Sequence, residues 1–147
     1  MTSQHDRNPG TPLDLDWVMR ARVNRSAVER RTASLPARRS IKKEWQAAWL
    51  LRAVTCIDLT TLSGDDTPGR VRRLCFKARQ PVRPDMLAAL GVADQQITVG
   101  AVCVYPSRVK DAVEALKGTD IPVASVATGF PAGQTPLPHR NAEIEQA

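Results

Sequence analysis

Asp58 stands at the end of an apolar run, Ala53-Val54-Thr55-Cys56-Ile57, and is followed by Leu59-Thr60-Thr61-Leu62 and the turn cluster Ser63-Gly64-Asp65-Asp66. A continuous run of this kind, rich in β-branched residues, predicts a strand buried on both faces with chemistry at its end. A carboxylate in that position is partly desolvated, which is costly unless it is hydrogen-bonded or charge-paired. Asp58 is therefore either a functional carboxylate or a loop-anchoring or helix-capping one. The other reactive groups are sparse. Cys56, Cys75 and Cys103 are odd in number, far apart and set in apolar patterns, as expected of reduced core thiols and not of a disulfide framework. His5 and His139 lie near the two ends, and no Cys-x-x-Cys or His-x-x-x-His pair supplies metal-ligand spacing, so neither a metal nor another cofactor is expected.

Charge points toward one class of partner and then weakens it. The formal net charge is +6, but residues 1–52 hold 11 Lys+Arg against 5 Asp+Glu, whereas residues 53–147 hold 10 against 10. The whole excess lies in the leading third. That asymmetry is compatible with nucleic-acid contact, yet a solvated basic helix is the commoner explanation, and a nucleic-acid partner is not expected. Trp45 and Trp49 recur at helical spacing with Ile41 and Ala48, which predicts a packing face and not a base-stacking platform. No apolar run approaches the roughly 18 residues of a membrane span, and no charged-then-apolar leader is present, so the expectation is a soluble, cytoplasmic protein without a membrane partner.

The elements that must position these groups follow from pattern and punctuation. Residues 1–12 are polar and contain Pro9-Gly10 and Pro12, which predicts a disordered leader; residues 13–52 are expected to form a helical extension and 53–147 the main segment. A helix from Leu15 to about Arg31 ends before Ser34-Leu35-Pro36, and a second is capped by Ser40 and runs from Ile41 to about Arg52. Beyond the Asp58 strand, Thr67 caps and Pro68 opens a helix reaching about Arg79, with Val71, Leu74, Cys75 and Ala78 on one face. A short helix over Asp85–Leu90 stops at Gly91. Ile97–Tyr105 is a second strand. The helix beginning at Pro106-Ser107 turns Val109, Ala112, Val113 and Leu116 inward and closes at Gly118. Val123–Thr128 is a third strand, Gly129-Phe130-Pro131-Ala132-Gly133 a tight loop, and Thr135-Pro136 opens a last amphipathic segment.

This alternation predicts an α/β fold with parallel strands joined by right-handed crossovers. Small residues within the strands (Gly100, Ala101, Ala124, Ala127) suit a tightly curved wall such as that of a (β/α)8 barrel. An open doubly wound sheet is the alternative. Its nucleotide-binding version is disfavoured because the loops after the strands lack G-x-G-x-x-G and G-x-x-x-x-G-K-[ST].

Three motifs in order carry a resemblance: Ile57-Asp58-Leu59-Thr60-Thr61-Leu62, Ala101-Val102-Cys103-Val104-Tyr105-Pro106 and Val126-Ala127-Thr128-Gly129-Phe130-Pro131-Ala132-Gly133. Each is weak alone. Together, at these spacings, they resemble the first three strand ends of the deoxyribose-phosphate aldolase family, over about residues 48–147. The resemblance implies the N-terminal portion, about three βα units, of a (β/α)8 TIM barrel preceded by two helices. It also implies a class I aldolase, a carbon–carbon lyase acting on a phosphorylated sugar through a lysine Schiff base, without a cofactor. By the same resemblance Asp58 belongs to a proton-handling network, Thr60 is its hydroxyl neighbour, Cys103 lines the pocket, and the 129–133 loop turns on its glycines.

The resemblance further implies a second catalytic aspartate and two lysines on later strands, which this chain does not reach. Lys42, Lys43, Lys77, Lys110 and Lys117 all fall in predicted helices. The isolated chain is therefore expected to be inactive, and its apolar strands to favour self-association through open edges. Two further readings are a non-catalytic partner that completes a split barrel with a second chain, and a basic nucleic-acid-binding module built on residues 14–52.

Overall fold

The computed structural model describes residues 12–38 and 41–147. The expectations for the leader up to Thr11 and for Ser40 as a helix cap lie outside the described residues. The chain divides into two units, one ending at Ile41 and the other spanning Lys42–Ala147.

The first unit holds two helices where the sequence predicts one. Helix α1 (Leu15–Arg20) is capped by Asp14, whose carboxylate accepts from the Trp17 amide at 2.9 Å. The chain leaves the helix at Ala21, where the Arg22 guanidinium donates to the Ala21 carbonyl at 3.0 Å. Asn24 then caps a fresh helix, α2 (Arg25–Arg38), by accepting from the Ala27 amide at 3.0 Å. A good cap in mid-pattern is a competing signal that periodicity alone does not weigh. The predicted break at Ser34-Leu35-Pro36 is also absent, because Pro36 falls in the last turn of α2, where the lost N–H removes a single bond just before the helix ends. Neither helix contains a buried residue.

In the second unit, α3 (Lys43–Val54) overruns the predicted strand. Ala53-Val54 continues a helix-favouring stretch of alanine and leucine, and Thr55 ends it by donating its hydroxyl to the Arg52 carbonyl at 2.8 Å. Cys56 consequently sits exposed in a turn and is not a core thiol, whereas Cys75 and Cys103 are buried. The stripe of α3 that is half-buried is Ala47, Leu51 and Val54, and the expected Trp45 and Trp49 face stays outside. Both stripes have helical spacing, and spacing does not say which one meets the body.

Strand β1 is only Asp58–Thr60, β2 is Ala101–Val104 and β3 is Val123–Ser125. They form one parallel sheet in the order β1-β2-β3, with Asp58 beside Ala101, Thr60 beside Cys103, Cys103 beside Ala124 and Val104 beside Ser125. Each strand is shorter than its apolar run, since Ile97–Gly100 and Val126–Thr128 lie outside the ladder. The connecting helices are α4 (Pro68–Arg79), α5 (Pro84–Ala89) and, after a 3-10 turn at Pro106–Arg108, α6 (Val109–Ala115); α7 (Leu137–Gln146) follows β3. Thr67 and Pro68 open α4 as predicted, Thr67 Oγ1 accepting from the Arg70 amide at 3.3 Å. Val113, predicted inward on α6, is 44% exposed.

Alternation along the strands separates two faces. Leu59, Val102, Val104 and Val123 belong to the face packed with Val71, Cys75 and Ala78 of α4 and with Ala112 and Leu116, and Val71, Val102 and Val104 are fully buried. The opposite face carries Asp58, Thr60, Ala101, Cys103 and Ala124. The expectation of burial on both faces fails here: Asp58 and Thr60 are exposed and the two alanines only half-buried. The described fold is thus α/β, with a three-stranded parallel sheet and its helical core on one face.

Candidate active site at the ends of the first two strands

Register brings the three predicted site residues together. Asp58 and Thr60 are two apart on β1, so both project to the same side, and Cys103 is the cross-strand partner of Thr60. The Thr60 hydroxyl donates to the Asp58 main-chain carbonyl at 3.1 Å and not to its carboxylate, which stays solvent-exposed. Asp58 is therefore not the desolvated carboxylate that the apolar run predicts. Cys103 is buried, and its thiol is pushed above its usual range, first by burial and then by the negative charge of Asp58, while the Thr60 hydroxyl pulls it back. A thiol held protonated is a poor nucleophile but a compatible pocket wall.

Polar groups that carry no motif hold this region in place. Asp66, expected only as part of a turn, accepts from the Thr61 hydroxyl at 3.0 Å through both carboxylate oxygens and from the Ser63 amide at 3.0 Å. Beside it, Arg70 donates to Asp65 at 2.7 Å, and with a Ser63 hydrogen bond this lowers the Asp65 carboxyl to about 2. The cue was present as a hydroxyl and a carboxylate on either side of a turn, but nothing marked Asp66 as facing backwards toward the strand.

The loop after β3 turns on its glycines as expected. Gly129 and Gly133 take φ of 73° and 66°, and the Gly133 amide closes on the Gly129 carbonyl at 2.8 Å. A Cβ on Gly129 would meet Thr135 Oγ1 at 2.6 Å. The Gly129 amide donates to Glu143 Oε2 of α7 at 2.7 Å, a contact across 14 residues without any local sequence signature.

The five lysines are exposed, and none lies on a strand: Lys42 caps α3, Lys43 and Lys77 are in α3 and α4, Lys110 is in α6, and Lys117 follows it. Among the described residues no group of three or more His, Cys, Asp or Glu could hold a metal ion, and no helix is long and apolar enough to cross a membrane. The cluster at β1 and β2 offers one exposed carboxylate, one hydroxyl and one buried thiol, which suits proton transfer and hydrogen bonding to a bound substrate.

No family model matches the chain. Curated proteins do: the deoxyribose-phosphate aldolase of Bos taurus is 64% identical over 140 residues, covering 94% of this chain and 44% of that protein. The deoxyribose-phosphate aldolase of Homo sapiens is 61% identical over 147 residues, covering 99% and 46%. Among solved structures, that of a candidate deoxyribose-phosphate aldolase from Coccidioides immitis matches with a TM-score of 0.50 and 28% identity over 66% of this chain and 32% of that one. The chain thus spans less than half the length of the curated relatives it matches. More than three residues in five are identical across nearly the whole of this chain, which is thus similar to deoxyribose-phosphate aldolases over a part of their length.

Proposed function

We propose that this chain forms the opening βα units of a (β/α)8 barrel and that, in a complete barrel, it serves reversible cleavage of 2-deoxy-D-ribose 5-phosphate to acetaldehyde and D-glyceraldehyde 3-phosphate. The observation that carries the barrel reading is the sidedness of the sheet. The strands stand in sequence order, all parallel, and α4 and α6 pack together on one face of it. A doubly wound sheet distributes its helices over both faces, whereas a barrel keeps them outside and its small or polar side chains inside. Residues 53–147 are then the barrel segment and residues 13–52 its N-terminal helical extension.

In this reading a lysine amine supplied by the rest of the barrel attacks the C1 aldehyde of the open-chain sugar and water leaves, forming an iminium. Removal of the proton on the C3 hydroxyl breaks the C2–C3 bond, releases D-glyceraldehyde 3-phosphate and leaves its electron pair in an enamine. Protonation at C2 and hydrolysis give acetaldehyde. Asp58, with Thr60, handles protons at the strand rim, and Cys103 lines the wall beneath them. The lysines of this chain are exposed and none lies on a strand, so none is held inside the barrel where the Schiff base would form. A non-catalytic partner role is favoured only in so far as the remaining strands come from a second chain.

The test is to co-express this chain with the remaining portion of the bovine relative and to measure aldehyde release from deoxyribose 5-phosphate. Turnover by the reassembled pair, none by this chain alone, and a borohydride-trapped adduct confined to the complementing portion are the expected results. A folded pair without turnover, or a stoichiometric adduct on a lysine of this chain, would reject the reading.

A further inference from the structure

Asp66 sits directly before the Thr67 cap of α4, yet its carboxylate does not serve that helix. Thr67 supplies the cap. The Asp66 side chain, only 3% exposed, faces back to the strand, where both oxygens accept from the Thr61 hydroxyl and one accepts from the Ser63 amide. Arg70 stands at 3.6 Å, too far for a good hydrogen bond but close enough to oppose the buried charge. Thr61 also carries the continuation of the β1–β2 ladder, its amide donating to the Cys103 carbonyl at 3.1 Å. One nearly buried carboxylate is therefore one residue removed from the main-chain bond that sets Thr60 beside Cys103. A charge this far from water is tolerated only because its partners are fixed, and fixed partners in turn fix the chain that bears them.

We propose that Asp66 is a positioning residue, which through Thr61 and Ser63 holds the exit of β1 so that Asp58 and Thr60 remain set against Cys103. The role deepens the aldolase reading and rests on it for its meaning, since what Asp66 positions is the proposed proton-handling pair. It does not require Asp66 to touch substrate.

The Cys103 thiol reports the geometry in the 147-residue chain itself, without turnover. Its titration responds to burial, to the Asp58 charge and to the Thr60 hydroxyl, while Cys75, raised by burial among the helices, reports the core alone. Peptide-resolved alkylation with iodoacetamide from pH 7 to 10 follows both thiols in one sample. In Asp66→Ala and in Thr61→Val the inflection of the Cys103 profile falls toward that of an ordinary thiol, so that alkylation at a fixed lower pH rises about tenfold for each pH unit by which the inflection falls, and the Cys75 profile stays in place. Asp66→Asn, which keeps the shape and one acceptor, retains part of the native profile. The proposal is overturned if Cys103 is unmoved in Asp66→Ala and Thr61→Val, or if in all three variants it moves only together with Cys75, which marks general loosening. Failure here leaves the aldolase reading intact. Failure of the reassembled pair to turn over, with the thiol result as expected, rejects that reading and leaves the positioning.

Discussion

Gly100→Ala isolates the close approach on which the register of the site depends. Gly100 precedes β2, and a Cβ built on it would lie 2.9 Å from the Thr55 carbonyl oxygen, 3.4 Å from the Ile57 oxygen and 3.5 Å from the Cys56 carbonyl carbon. All three are backbone atoms of the segment that delivers β1, so no side chain can swing aside. The amides of Gly100 and Ala101 both donate to the Ile57 oxygen, at 2.9 and 3.2 Å, and any retreat of the chain weakens them. Forcing a methyl into such a place costs about 1–3 kcal/mol. Alanine also restricts the unfolded chain, which returns about 0.4–1 kcal/mol. The steric cost wins, and a net loss of about 1–2 kcal/mol is a sizeable part of a 5–15 kcal/mol margin. Gly64→Ala is the matched control, because its Cβ would have nothing within 4 Å and its φ is not in the left-handed region. Urea unfolding should show a lower midpoint for Gly100→Ala at unchanged slope, with faster exchange of the Gly100 and Ala101 amides, and no loss for Gly64→Ala. Equal stability of the two variants would refute the reasoning.

Three further outcomes follow from the same structure. Val104→Ala empties a fully buried position between the sheet and its helices, and two lost methylenes plus the cavity should cost about 2–3 kcal/mol by urea unfolding. The Asp65 carboxyl is held at about 2, below its unfolded value of 3.8, so its stabilisation is present above pH 3.8 and is lost as pH falls toward 2. The difference in urea midpoint between the native chain and Asp65→Asn should vanish across that window and stay small above it, since Asp65 is 71% exposed and screened. Strands β1 and β3 each pair on one side only among the described residues, so sedimentation velocity should show self-association, and a monodisperse monomer would contradict it.

What could be read from sequence was what punctuation marks locally. Thr67-Pro68, Gly91 and Gly118 placed helix ends to within a residue or two, because caps and left-handed glycines act on their immediate neighbours. Strand lengths were less legible: Ala53-Val54 satisfies a helix as well as a strand, and tertiary partners decide. The same ambiguity hid which stripe of α3 faces inward and left Val113 outside α6. Motif likeness singled out Asp58, Thr60 and Cys103, but their meeting on one face comes from β1–β2 register, which needs both strands at once. Asp66 and Glu143 escaped notice because their partners are chosen by the fold, Glu143 reaching the Gly129 amide from another element.

Proton handling by the rim of β1 in a completed aldolase barrel is tested most directly by Asp58→Asn in the pair reassembled with the bovine relative's remaining portion. The substitution keeps the shape of an exposed side chain and removes only the charge and the basicity. General acid–base catalysis contributes about 10²–10⁴-fold, so kcat for deoxyribose 5-phosphate cleavage should fall at least about 100-fold at nearly unchanged KM, with the Cys103 thiol titrating lower once the neighbouring charge is gone. Unchanged turnover in a correctly assembled pair would reduce Asp58 to a surface carboxylate and contradict its proposed role.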